Sequence, residues 1–241
     1  MKISVQMYSL RHEIEKEGVD AVLKGLRECG ADGIEAIENA YGLTPEEYRA
    51  ALDKNNLTAF GCHCGMSALA DRTMAWSKAL GFKQLIIPGL STETLKNDVK
   101  ATAATLLADA EFYIKHGIII GYHNHSHEFE GGADYIAELL KAAPLLKFEP
   151  DIFWLAAAGK SATEYLKPYE SRLATIHLKE LNKDGADAPN PCFGKGVSEI
   201  KQCVRLAKKL NLPHIVIEFE NLNVPWRSYV KQAVNYIREE L

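Results

Sequence analysis

Two periodicities of hydrophobic and polar positions alternate along this chain. Short apolar, β-branched runs read as strands: "ISVQMYS" (3–9), "GIEAI" (33–37), "LTAFGCH" (57–63) and "QLIIPG" (84–89) in the first half. "IIIGYHNH" (118–125), "LKFEPDI" (146–152), "LATIHLK" (173–179) and "HIVIEFE" (214–220) follow in the second. After each run comes a longer stretch with apolar residues at helical spacing: 20–30, 44–56, 71–81, 92–117, 134–143, 161–172, 197–211 and 225–241. Gly30, Gly81 and Gly117 stand where helices should stop, and Thr44 before Pro45 supplies an N-cap and a first helical residue. Strands alternating with helices predict parallel pairing through right-handed crossovers. Eight such units in 241 residues predict an α/β fold, a single (β/α)8 TIM barrel. No linker, repeat or low-complexity segment divides the chain, so 1–241 reads as one domain. A doubly wound sheet is disfavoured because no Gly-rich fingerprint follows the first strand.

In such a barrel the chemistry belongs at the C-terminal ends of the strands. Polar residues gather there: Glu35 and Glu38 after strand two, His63 at strand three, and His123 and His125 at strand five. Asp151 ends strand six, His177 and Lys179 strand seven, and Glu218 and Glu220 strand eight. The stretch "GYHNHSHEFE" (121–130) is the densest, and strand alternation puts His123 and His125 on one face and Asn124 on the other. Four consecutive strand ends supplying two imidazoles and two carboxylates suit one divalent ion of the Mn, Zn, Co or Fe kind. Mg and Ca prefer all-oxygen shells and fit less well. Trp154 is placed to form an apolar wall at the barrel mouth, and Lys179 to carry an oxyanion or donate a proton. The loop "NKDGADAPNPCFGKG" (182–196) reads as a cover for the site.

Composition narrows the partners. A formal charge of −4 without a large Lys/Arg cluster argues against nucleic acid. No apolar run reaches membrane-spanning length and no signal-like segment opens the chain, so it reads as cytoplasmic with no membrane partner. Five scattered cysteines read as free thiols in a reducing compartment. The pair around His63, Cys62 and Cys64, lacks the spacing of a structural zinc site.

At these strand ends the sequence resembles the xylose isomerase-like TIM-barrel superfamily, the sugar phosphate isomerases/epimerases. The motifs carrying the resemblance are "VQMYSLR", "GIEAI", "GYHNHSHEF", "EPDIFWLAAAGK", "ATIHLKE", "FGKG" and "IVIEFE", spread over nearly the whole chain. The resemblance implies that Asp151, His177 and Glu218 are metal ligands. The fourth ligand in the family's usual pattern is a strand-five glutamate that also works as an acid/base. His123 aligns there, so this chain departs from the pattern, with Glu128 folding back as the alternative ligand. Only Glu218 then remains of the family's glutamate pair. The second catalytic acid/base is to be found among His125, Lys179, Glu35 and Glu128. His63 and Trp154 are assigned to substrate binding. Lys195, standing where related sequences often carry an acidic residue, is assigned there too and favours an anionic substrate.

What the resemblance implies is a metal-dependent isomerase or epimerase acting on a small-molecule carbohydrate, a sugar or keto-sugar, by proton transfer next to a carbonyl through an enediolate. The alternative is a lyase or dehydratase acting on a keto-sugar, keto-glycoside or inosose from the same metal site. Two further readings are weaker. An apurinic endonuclease-like nuclease needs more zinc ligands and a histidine where Trp154 stands, and a non-catalytic sugar-binding barrel would not need the metal. Barrels of this kind often self-associate, so a homo-oligomer stands as an expectation.

Overall fold

A computed structural model describes residues 1–38, 40–68 and 71–241. Eight strands form one parallel sheet: β1 (Lys2–Gln6), β2 (Gly33–Ile37), β3 (Thr58–His63), β4 (Gln84–Ile87), β5 (Ile119–His123), β6 (Lys147–Glu149), β7 (His177–Leu178) and β8 (His214–Ile217). They run β6-β5-β4-β3-β2-β1-β8-β7, and the two ends meet through single bridges, Phe148 with Leu173 and Asp151 with His177. The chain is a single (β/α)8 barrel.

Helices pack around it: α1 (Arg11–Glu17) and α2 (Val19–Glu28) after β1, α3 (Pro45–Lys54) after β2, α4 (Asp71–Leu80) after β3 and α5 (Thr92–Ile114) after β4. Then come α6 (Tyr135–Ala142) after β5, α7 (Ile152–Ala157) and α8 (Ala162–Leu166) after β6, α9 (Ile200–Lys209) after β7 and α10 (Trp226–Glu240) after β8. Among the described residues no helix is long and apolar enough to cross a membrane.

The extra helices have local causes. Gly18, at φ +84°, lets the chain turn between α1 and α2. Residues 161–172 do not make one helix because Pro168 lacks an N–H, so α8 ends at Leu166 and a tighter turn follows. Thr44 and Glu47 cap α3 reciprocally as a capping box.

Period-two alternation decides what the barrel holds. Ile3, Val5, Ile34, Leu85, Ile87, Ile120, Phe148, Ile176, Ile215 and Ile217 lie in the apolar core. Their strand neighbours point the other way, into the barrel, and many are polar yet buried: Ser4, Gln6, Glu35, His123, Glu149, Thr175, His177 and His214. A bulge between β2 and β3 resets the register, Ile34 facing Ala59 but Glu35 facing Gly61. Gly61 gives the Glu35 carboxylate its room, since a Cβ there would lie 2.9 Å from Oε1. The inside of the barrel is therefore a polar column that leads up to the strand ends.

Candidate metal and active site

A cavity of about 570 Å³ opens at the C-terminal ends of the strands. His63, His123, His125, Glu218 and Glu220 give it polar groups, and Tyr8, Ile37 and Pro88 give it apolar wall.

Two imidazoles organise the floor. His177 Nδ1 lies 2.5 Å from Glu218 Oε2, while its Nε2 lies 2.6 Å from Glu35 Oε2 and 2.9 Å from Glu149 Oε1. His123 Nδ1 lies 3.2 Å from Glu149 Oε1, and its Nε2 faces Asp151 Oδ2 at 3.8 Å. Each ring thus turns one nitrogen toward Asp151 and Glu218 and the other toward Glu149. His63 Nε2 joins the Glu149 side at 2.7 Å, and Gln6 donates to Glu35 at 2.7 Å.

The local fold explains how each group is held. Asp151 caps α7, its Oδ1 accepting from the amides of Phe153 and Trp154. That leaves Oδ2 buried with no hydrogen-bond partner. Asn124 ties the end of β5 to β6, its Oδ1 accepting from the Asp151 amide.

Buried charge sets the protonation states. Burial pushes the Asp151 carboxyl up, helped by Glu218, to about 7. For Glu218 burial acts upward too, but Lys179 and His177 outweigh it and hold the carboxylate well below the usual range. Burial alone would lower His177, yet Glu149 and Glu35 keep it well above the ordinary imidazole range. His63 follows the same balance, burial against Glu35 and Glu149, and is raised to about 9. Burial, with His177 and His63 nearby, drives His123 far down, so this ring is neutral.

The donor atoms of His123, Asp151, His177 and Glu218 all lie within 4.8 Å of one another, as do those of His63, His123, Glu149 and His177. The first group can hold a divalent ion: it mixes nitrogen and oxygen donors, borders the cavity and contains the unpartnered Asp151 oxygen. The sequence profile of the xylose isomerase-like TIM barrel matches residues 23–240. The chain belongs to that family.

Several solved structures share this fold at low sequence identity. A sugar phosphate isomerase/epimerase from Parabacteroides distasonis superimposes with a TM-score of 0.76 at 20% identity, covering 98% of this chain and 93% of the other. A D-allulose 3-epimerase from Methylomonas sp. gives 0.77 at 15%, with 100% and 98% covered. A probable 3-DHS dehydratase from Bacillus anthracis gives 0.75 at 14%, with 99% of each covered. No curated protein sequence matches the chain.

Against this xylose isomerase-like frame, the residues singled out by sequence separate into distinct groups. His123, Asp151, His177 and Glu218 converge, with Lys179 beside them. The Lys179 ammonium is fully buried, 2.7 Å from Glu220 and 3.5 Å from Glu218, above the rings of Phe153 and Trp154. Burial opposes its charge, but Glu218, Asp151 and Glu220 raise its pKa. His125 lines the cavity, its Nδ1 buried without a partner, and burial lowers it to about 4. Trp154 packs its ring 5.3 Å from that of His125.

Glu35 and His63 lie on the Glu149 side of the two rings, Glu35 fully buried and His63 reaching the cavity wall. Glu128 is engaged elsewhere: Tyr122 donates to Oε1 at 2.9 Å and the His125 amide to Oε2 at 2.9 Å. It belongs to a separate grouping with His125 and His127 rather than to the one containing Asp151. Lys195 is exposed and does not line the cavity. The loop that carries it is anchored by Glu180, whose carboxylate accepts from the amides of Gly194 and Ser198. The sequence reading overlooks Glu149. Its signal is there, a carboxylate in an apolar strand two residues before Asp151 and so on the same face.

Proposed function

We propose that this barrel is a divalent-metal-dependent isomerase or epimerase of a sugar or keto-sugar, working by proton transfer next to the carbonyl. The observation that carries this is the convergence of His123, Asp151, His177 and Glu218 on the cavity floor, with one buried Asp151 oxygen unpartnered. These four residues would hold the ion, and two imidazole and two carboxylate donors favour Mn, Zn, Co or Fe. When bound, the ion supplies Lewis-acid stabilisation of negative charge developing on the substrate's oxygens.

The chain's own groups do the rest. Glu218 stays ionised beside Lys179 and His177 and faces the cavity, positioned to hold a substrate proton. His125, neutral and with a free ring nitrogen, is the second proton carrier. Lys179 places a fixed positive charge beside Glu218, where it stabilises an oxyanion. Tyr8, Ile37 and Pro88 offer the apolar wall against which a sugar's carbon face packs.

A lyase or dehydratase reading is favoured by one feature, the histidine in place of a strand-five glutamate. His125 would then remove the proton and Lys179 would protonate the departing oxygen.

The test is incubation of the Mn- or Zn-loaded protein with a panel of keto-sugars in D2O, followed by NMR. Solvent deuterium beside the carbonyl with the skeleton retained supports the isomerase. Deuterium accompanied by loss of water or of a glycosyl group supports elimination. No exchange in any substrate would sink both.

A further inference from the structure

Resting on the reading that an ion sits among His123, Asp151, His177 and Glu218, we infer that Glu149 is the positioning residue that aims both imidazoles at it. One oxygen, Glu149 Oε1, contacts the far nitrogen of each ring, 3.2 Å from His123 Nδ1 and 2.9 Å from His177 Nε2. The near nitrogens are thereby turned to Asp151 Oδ2 and Glu218 Oε2.

The physical argument is one of tautomers. An imidazole that gives one nitrogen to a cation keeps its proton on the other, and that N–H needs an acceptor. In this barrel the acceptor is a carboxylate, as in the carboxylate–histidine–metal arrangements that fix ring orientation and raise ligand basicity. Glu149 serves two of these ligands from opposite sides of the barrel closure, His123 on β5 and His177 on β7. Glu35 adds a second acceptor to His177 but lies outside the contacts of His123, so among the described residues it is Glu149 that couples the pair.

The same geometry argues against the ion lying on the Glu149 side. There, His63 Nε2, His123 Nδ1 and His177 Nε2 already meet carboxylate oxygens at hydrogen-bond distance, and Glu149 is fully buried. Glu149 Oε2 and Glu35 Oε1 are unpartnered there, as Asp151 Oδ2 is on the other side, but Glu218 borders the cavity while Glu149 and Glu35 do not.

The experiment measures Zn(II) affinity by competition with a chromophoric chelator for wild type, Glu149→Ala and Glu149→Gln. Thermal melts of the metal-free proteins identify any variant that fails to fold. Glu149→Ala should bind about 10–100-fold more weakly, and Glu149→Gln, which keeps one acceptor oxygen, should recover part of the loss. A second readout needs no variant: 15N NMR of histidine-labelled wild type loaded with Zn(II). The expected result is a proton on Nδ1 of His123 and on Nε2 of His177, with the other nitrogen of each ring on the metal. Unchanged affinity in both variants, while wild type binds, would overturn the inference alone. Metal on Nδ1 of His123 and Nε2 of His177 would overturn it by placing the ion on the Glu149 side. No Zn(II) on wild type would overturn the ion reading itself and this inference with it.

Discussion

His214 points into the barrel from β8, stacked on Phe60 at 4.9 Å with its Nε2 unpartnered. Burial lowers its pKa to about 4. The folded state therefore takes up no proton on this ring until well below the pH at which the unfolded chain does, near 6.5. Above that pH the ring costs nothing by this route. As pH falls from 6.5 toward about 4, the unfolded state binds more protons and stability declines, by on the order of 3 kcal/mol in total from this group. Replacing His214 by Phe should flatten stability against pH over that window, read from urea midpoints at stepped pH. An undiminished slope in the variant would assign the loss to other groups. Gly33 offers a second check at this scale. A Cβ there would stand 2.0 Å from the Thr58 carbonyl oxygen, backbone that cannot swing aside. Gly33→Ala should cost about 1–3 kcal/mol, as overpacking does, lowering the urea midpoint with little change in slope.

Single residues were legible where the strand pattern exposed them. His123, Asp151, His177 and Glu218 were readable because each ends an apolar run, and barrel geometry brings strand ends together. Glu149 was overlooked, because it lies within a run and before Pro150, where a charge reads as a strand's polar edge, although its spacing from Asp151 marks a shared face. Its contacts come from three other strands and exist only once the barrel closes. The interior place of Glu35 has a similar origin: the bulge at the β2–β3 pairing lies in the register between two strands.

Elements were legible to the extent that their signals are local. The N-cap at Thr44 was readable from its neighbours, whereas the stop that Pro168 imposes on α8 was hidden by the helical spacing of 161–172. The break in α5 also has a local cause, but one that competes with helical periodicity. Asp98 leaves helical geometry at φ −162° and ψ 83°, and its Oδ1 then accepts from the Ala101 amide. The apolar spacing of 92–117 continues through it and hides the break. Asp98 acts as the N-cap of a second helical segment. Asp98→Ala should remove that cap and cost about 1 kcal/mol, measured by thermal melting. Asp98→Asn, which retains the accepting oxygen, should cost less. Equal effects would mean that the carboxylate's charge, not its cap, is what counts.

At the scale of the whole molecule, the weak point of the barrel and its candidate metal site coincide. β7 has two residues, and among the described residues the sheet closes between β6 and β7 through the single Phe148–Leu173 and Asp151–His177 bridges, with the amides of Ala174 and His177 donating across the seam to Phe148 and Pro150. Asp151 and His177 are also two of the four residues assigned to the ion, one from each side of that seam. An ion bound there is lost if the seam opens, so binding should stabilise the closure by mass action, about 2.7 kcal/mol at a metal concentration of 100 times Kd. Hydrogen exchange at Ala174 and His177 should therefore slow by about two orders of magnitude when Mn or Zn is added at that level. Exchange in α2 and α3, across the barrel, should slow less if the seam opens on its own, and equally if only global unfolding exposes these amides. In Asp151→Asn, which keeps the cap on α7 but weakens the metal site, added metal should leave the seam exchanging as in the metal-free protein. Protection that persists in that variant would place the ion elsewhere and separate the closure of the barrel from its chemistry.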